Sequence, residues 1–193
     1  MFALFAIPIG ILAGYLLGGR LEHLGDLHFR WWWLAVGGLV AQVILFAGPV
    51  ATVVGPWGPP LYVASTVAVL IAVLRDVRAI PGLAVVVVGA ASNLLAILAN
   101  GGVMPASSAA VAALETETGP GFSNSVVVAS PALAPLTDIF VLPAWLPFAN
   151  VYSIGDVLIG LGIVLVIALG MRPKRAGRVV ETASSEARQG EAR

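Results

Sequence analysis

The chain has 193 residues, 59% of them hydrophobic and 10% charged, with ten Lys and Arg against ten Asp and Glu and a mean hydropathy of +0.99. Soluble domains carry about 25% charged residues, so the composition excludes an ordinary water-soluble fold and points to an all-α integral membrane protein. Cysteine is absent, which excludes disulfides, thiolate metal sites and cysteine nucleophiles.

Span 1 is expected over residues 1–19. No positive stretch precedes it and no small-x-small cleavage site follows, so the segment reads as an anchor and not as a cleaved signal peptide. Gly10, Gly14 and Gly18 recur every four residues, a stripe that lets another helix approach closely. The stripe serves packing inside the protein or, alternatively, a homodimer. Residues 20–30 form a cytoplasmic connection with a short interfacial helix. It contains Glu22, His23, Asp26 and His28, but the histidines are five apart, off the i, i+4 spacing of a helical metal pair. No metal site is expected there.

Span 2 covers residues 31–54, opening on Trp31, Trp32 and Trp33 as an interfacial anchor beside Arg30. Gln42 near its middle needs an interhelical hydrogen bond or a ligand. Residues 55–60, Gly-Pro-Trp-Gly-Pro-Pro, make an external turn. Span 3 follows over residues 60–74, short against the ~20 residues a bilayer requires. Arg75-Asp76-Val77-Arg78 is the second cytoplasmic connection, and span 4 runs over residues 80–99. Asn93 and Asn100 lie two helical turns apart and project from one face.

The external segment, residues 100–150, contains no Lys or Arg. It opens with turn chemistry, Asn100-Gly101-Gly102-Val103-Met104-Pro105. A short helix is expected over residues 106–117, ended by Gly119-Pro120-Gly121. Residues 125–147 are apolar yet carry Pro131, Pro135, Pro143 and Pro147, too many for a spanning helix. This Pro-rich external hairpin between spans 4 and 5 is interfacial or re-entrant, and Trp57, Tyr62, Trp145, Phe148 and Tyr152 form an outer aromatic belt. Span 5 covers residues 153–171. The tail, residues 173–193, cannot bury enough apolar area to order itself, and its basic start faces anionic headgroups. The domain organisation is therefore a five-span unit over residues 1–172 and a disordered cytoplasmic tail.

With five spans, all ten basic residues fall on one side, which places the N-terminus outside and the C-terminus inside. The outer side then holds Glu115, Glu117, Asp138 and Asp156. Asp138 in Leu-Thr-Asp-Ile and Asp156 in Ser-Ile-Gly-Asp are the candidate catalytic pair. Two carboxylates in one desolvated site cannot both ionise easily, and such a pair can activate water and protonate a leaving amine. The competing reading of Asp156 is a capping box with Ser153 at the head of the last helix, and of Asp138 a solvated or capping acid. Asn93, Asn100 and Ser153 are candidate ligand-binding residues.

Asn100-Gly101-Gly102-x-Met104-Pro105 and Ser153-Ile154-Gly155-Asp156-x-x-Ile159 resemble the signature of a family of small bacterial multi-pass membrane proteins of unknown function. The resemblance implies a multi-pass protein of the bacterial cytoplasmic membrane. Separately, residues 136–171 resemble the end of lipoprotein signal peptidase, and that resemblance implies catalytic roles for Asp138 and Asp156. Ser153 stands where that family has Asn, and its other motifs have no counterpart in this chain. There is no P-loop, no dinucleotide fingerprint, no histidine pair for haem and no basic face for nucleic acid. No cofactor is expected. The expected role is a small scaffold, an accessory subunit or a binder of a lipid-like ligand at the outer leaflet, with membrane lipids and a membrane-protein partner or second copy as its contacts. The alternative is an aspartic membrane hydrolase.

Overall fold

A computed structural model of the chain describes residues 3–46, 50, 53–118, 126–143, 145–147 and 149–173, with backbone alone at residue 3 and residues 114–118. The expectations for residues 174–193, for Gly119-Pro120-Gly121 and for Phe148 lie outside the described residues. The fold is mostly helical. Its helices are α1 (Ala3–Leu16), α2 (Trp32–Leu45), α3 (Gly58–Asp76), α4 (Leu83–Ala99), α5 (Ser108–Thr118) and α6 (Ile154–Gly170). With the preceding 3-10 turn, α3 makes a run of 22 residues, Gly55–Asp76, long and apolar enough to cross a membrane. The apolar helices Leu4–Leu16, Trp32–Leu45, Leu83–Ala99 and Ile154–Gly170 are shorter. At 1.5 Å per residue, a helix of 17 residues reaches about 26 Å.

The extensive helix contacts join α1 to α6, α6 to α4, α4 to α3 and α3 to α2. The five long helices therefore form a layer in the order α1-α6-α4-α3-α2, with the first two helices of the chain at opposite edges. Side-chain pairings fix the directions. Gly10 faces Val164 and Ile167 while Gly14 faces Met171, so α1 and α6 run parallel. Gly89 lies against Gly155 and Ile159, and Gly82 against Gly162 and Val166, so α4 and α6 run antiparallel. Gln42 Nε2 donates to Thr66 Oγ1 at 3.2 Å, and the rings of Phe46 and Tyr62 meet edge to face, so α2 and α3 are antiparallel as well. Gln42 thus makes an interhelical bond. Gly10 and Gly14 of the small-residue stripe are filled by the chain's own last helix, whereas Gly18 has no atom near it.

These directions gather the connections at residues 17–31, 77–82 and 171–173 at one end. Arg20, Arg30, Arg75, Arg78 and Arg172 all lie in or beside them, which makes this the basic end. A core of Val73, Ile80 and Leu83 closes it, with Leu27 and Phe29 packed on from the first connection. His23 Nδ1 lies 2.8 Å from Met171 O, and Arg20 N donates to the same carbonyl at 2.7 Å. Two donors therefore meet a carbonyl that the end of α6 leaves without a helical partner. His28 Nδ1 lies 3.0 Å from Asp26 O.

The opposite end departs from an all-helical expectation. Among the described residues of 100–152 lie α5 and four two-residue strands: β1 (Pro105–Ala106), β2 (Val126–Val127), β3 (Phe140–Val141) and β4 (Val151–Tyr152). Strand β1 pairs in parallel with β2 and, on its other side, through Ala106 with Asp138, while β3 and β4 pair antiparallel. The paired glycines do what the sequence requires of them. Gly101 and Gly102 have φ of 72° and 89°, values that ordinary side chains avoid. They turn the chain off α4 and into β1. The Pro-rich run does not cross the layer as a helix. Its described residues make a 3-10 turn, Ala134–Leu136, preceded by Leu133 in the left-handed region at φ 52°.

Candidate functional site

The site lies at the end opposite the arginines and grows from the start of α6. Ser153 is the N-cap. Its Oγ accepts from Asp156 N at 3.1 Å, and its own N–H donates to Asp156 Oδ2 at 3.0 Å. That reciprocal pair is a capping box with Asp in place of the usual Glu or Gln. Anionic side chains are also favoured in a first helical turn. Gly155 carries no side chain, and this permits the next contact. Asn93 of α4 lies over Gly155, in space that a Cβ there would occupy. From that position Asn93 Nδ2 donates to Asp156 Oδ1 at 3.0 Å. The single proton of the Ser153 hydroxyl lies between Asn93 Oδ1, at 2.7 Å, and Asp156 Oδ2, at 3.0 Å. Ser153 is fully buried. Asn93 therefore joins the Ser153–Asp156 capping box expected from sequence, and the three form one hydrogen-bonded unit.

Asp138 reaches the same place from the Pro-rich segment. Its backbone is fixed on β1: Asp138 N donates to Pro105 O, and Ser107 N donates to Asp138 O, both at 2.9 Å. Next to it, the buried Thr137 hydroxyl donates to Ala134 O at 2.7 Å. Asp138 is only 4% exposed. It lines a cavity of about 80 Å³ together with Asp156, Asn93, Asn150, Tyr62 and Tyr152. The two candidate carboxylates thus converge on one polar cavity, although they come from segments with no shared secondary structure.

Asn100 stands apart from this cavity. Its Nδ2 donates to Ala132 O at 2.9 Å and to Ala96 O at 2.7 Å, and its Oδ1 accepts from Ala132 N at 2.8 Å. These bonds clamp the Pro-rich segment to the end of α4. Asn93 and Asn100 share a helix face but serve different neighbours.

Beside the polar cavity lies an apolar groove of about 140 Å³, lined among others by Leu45, Phe46, Pro59 and Val126. Tyr62 and Met104 line both spaces, so they form the common wall. Sequence reasoning placed Tyr62 and Tyr152 in an interfacial belt and did not single out Asn150. The available signal for Asn150 was a lone amide after a long apolar, Pro-rich run. Among the described residues no group of three or more His, Asp or Glu is placed to hold a metal ion.

Beyond the geometry, a family model described as a family of unknown function, DUF5317, matches residues 26–168. The match takes in α2 to α6 almost entirely, together with every residue of the cavity. No curated protein and no solved structure matches the chain significantly. With most of its length covered by that one model, the chain belongs to the DUF5317 family of unknown function.

Proposed function

We propose that the protein is a five-span protein of the bacterial cytoplasmic membrane, N-terminus outside and C-terminus inside, that binds a lipid-like ligand at the outer leaflet. Two features support the membrane reading. The layer leaves large aliphatic and aromatic side chains uncovered along its edge helices, with Leu12, Trp32 and Val43 exposed by 61%, 60% and 73%. Contiguous apolar surface of that kind is rare on soluble monomers. The antiparallel succession of helices also collects the arginines at one end, as the positive-inside rule requires. A cysteine introduced by Ser108→Cys should react with an impermeant thiol reagent on intact cells, and one introduced by Ser184→Cys only after lysis. The opposite pattern would sink the topology.

The observation that carries the binding role is the pairing of a polar cavity with an apolar groove across one wall, Tyr62 and Met104. Small-molecule sites combine an apolar lining with a few placed polar groups. A polar head in the cavity and a chain in the groove would satisfy both. The test is photolabelling in lipid nanodiscs with a phospholipid that carries a diazirine on its acyl chain. Phe46 and Val126 should be labelled well above Leu12, which faces bulk lipid. Equal labelling of all three would remove the binding reading and leave a scaffold, docked to a membrane-protein partner or a second copy.

A second reading, an aspartic membrane hydrolase, draws support from the convergence of Asp138 and Asp156 on one cavity. In that chemistry one carboxylate activates water and the other protonates the leaving amine. Against it, both oxygens of Asp156 are engaged by Ser153 and Asn93. Incubation with lipid-anchored peptides would separate the readings. Cleavage that disappears in Asp138→Asn and Asp156→Asn would promote the hydrolase, and absence of cleavage in the wild type would retire it.

A further inference from the structure

The basic end of the layer carries more positive charge than the chain answers there. Among the described residues it holds Arg20, Arg30, Arg75, Arg78 and Arg172 against Glu22, Asp26 and Asp76. Two of these arginines are paired, Arg20 with Glu22 and Arg30 with the buried Asp76. Arg75, Arg78 and Arg172 are exposed and make no ion pair with a described residue. Arg75 is held in another way. Its guanidinium carbon lies 5.7 Å from the centroid of the Trp31 ring, at the entrance to α2. A ring attracts a cation through its face and takes up none of its N–H donors. Arg78 follows three residues on, and the bond from Ile80 N to Asp76 O carries the helical path of α3 past it. Residues three apart on such a path are neighbours. The two guanidinium groups suit phosphate oxygens, which they can meet with paired N–H donors. Beside them α2, at the edge of the layer, turns an apolar face outwards. Trp33, Val36, Val40 and Val43 are spaced by three and four residues, and all are exposed. Gly37 lies on the same flank, with nothing within 4 Å of the position a Cβ would take, so no part of the protein fills the dent there.

We propose that the corner formed by Trp31, Arg75 and Arg78 is a docking site for an anionic phospholipid. The guanidinium groups bind its phosphate, and an acyl chain lies along Trp33, Gly37 and Val40. This rests on the membrane reading above and adds a second lipid site at the end of the layer remote from the cavity. Charge complementarity selects the head, because a headgroup with its own ammonium balances its phosphate and has no net charge to offer. Trp31 is a positioning residue, since it acts through Arg75. Arg172 lies across α4 at the end of α6, away from both the ring and the edge face, and stands outside the site.

Native mass spectrometry tests the proposal, with the full chain in a non-ionic detergent titrated with dioleoyl phosphatidylglycerol or dioleoyl phosphatidylcholine. The first phosphatidylglycerol should bind about tenfold tighter than phosphatidylcholine, the scale of one charge-assisted hydrogen bond. Arg75→Gln and Arg78→Gln should each weaken it about fivefold, the usual share of one basic residue at a lipid surface. Trp31→Ala leaves the net charge unchanged and should still weaken it about threefold, through the lost cation–π contact. Arg172→Gln removes the same charge as the other arginine variants and should have no effect. Phosphatidylcholine binding and thermal unfolding of each variant report that it is folded. Equal losses from all three arginine variants, with none from Trp31→Ala, would show a diffuse positive field and overturn the site. Equal binding of the two lipids would overturn the anionic class. Displacement of the lipid by glycerol 3-phosphate at comparable concentration would assign the cations to a soluble phosphate ester and overturn the lipid. Binding of neither lipid would overturn the site and leave its cations to an acidic protein surface. The membrane reading stands or falls separately, on the accessibility of the cysteines introduced at Ser108 and Ser184.

Discussion

The two ends of the helix layer treat buried carboxylates differently. At the basic end Asp76 is 1% exposed, and its Oδ2 accepts from Arg30 N at 2.8 Å while its Oδ1 lies 3.8 Å from Arg30 Nε. Arg75 adds a cation–π contact over Trp31, 5.7 Å from the ring centroid. That acid is answered locally by the chain's own cation and knits the 17–31 connection to the end of α3. At the other end Asp138 and Asp156 face one cavity in a stretch of sequence that contains no basic side chain. Asp156 is held by hydroxyl and amide donors, which orient a carboxylate without bringing a formal positive charge. Asp76 thus has its cation built in, whereas Asp156 is held by neutral donors alone. A buried charge with a built-in counter-charge has its role in the fold.

Four sets of substitutions test that contrast, in descending order of the leading effect. Gly155→Ala should be the most damaging, by about 3 kcal/mol in thermal unfolding, at the top of the range for overpacking. The added Cβ would meet Asn93 and Gly89 O and drive Asn93 off Ser153 and Asp156. Gly25→Ala, where nothing lies within 4 Å, is the matched control and should be neutral. Equal effects at the two positions would mean that the Asn93 contact over α6 is dispensable.

Asp76→Ala comes next, at about 2 kcal/mol, because it leaves Arg30 N–H without its acceptor in a partly buried place. Asp76→Asn keeps one acceptor and should recover about half. The largely exposed Arg30 guanidinium contributes little by itself, so Arg30→Gln should cost under about 0.5 kcal/mol. A cost for Arg30→Gln as large as that for Asp76→Ala would show that charge and not the backbone bond holds this end together.

The outer pair is read by a double-mutant cycle on Asp138→Asn and Asp156→Asn. Neighbours that share a cavity should be coupled by about 1 kcal/mol, with the double variant less destabilised than the sum of the singles. Strict additivity would mean that the carboxylates do not sense one another and would weaken the contrast between the ends. Last and smallest, Leu133→Gly should stabilise the protein by about 0.5 kcal/mol, since relief of the left-handed conformation is partly offset by the entropy that glycine loses on folding. A loss of stability there would show that the Leu133 side chain contributes more than its backbone costs.

Much of the layer was legible in sequence because its signals are periodic or local. The spacing of Gly10 and Gly14 announced a close helix contact, and α6 supplies it. Ser153 and Asp156, three residues apart, announced the capping box. Gln42 in an apolar run announced an interhelical bond, which Thr66 makes. The features that escaped join residues distant in the chain. Nothing near Asn93 indicates that it will bond to residues 60 and 63 positions later. Asp76, flanked by Arg75 and Arg78, reads as a solvated loop acid and is buried only because the 17–31 connection folds across it. The β1 pairings could not be read, since two-residue strands carry no alternation, and Pro105 and Asp138 meet only through the turn at Ala134–Leu136.

The order of the layer has a consequence for how the chain is built. Helices α2, α3 and α4 neighbour one another in sequence and in space, so each can dock as soon as the next is made. Helix α1 is the exception. Its partner is α6, made after the other described helices, and until then the face at Gly10 and Gly14 has no Val164, Ile167 or Met171 to receive. The first helix therefore waits with its small-residue face open through the making of everything else. A chain stopped after α4 would keep that face bare, and a bare small-residue face is one on which another helix can pack closely. The final helix thus serves as a latch: it positions Asp156 at one end and retires the adhesive surface of α1 along the rest of its length.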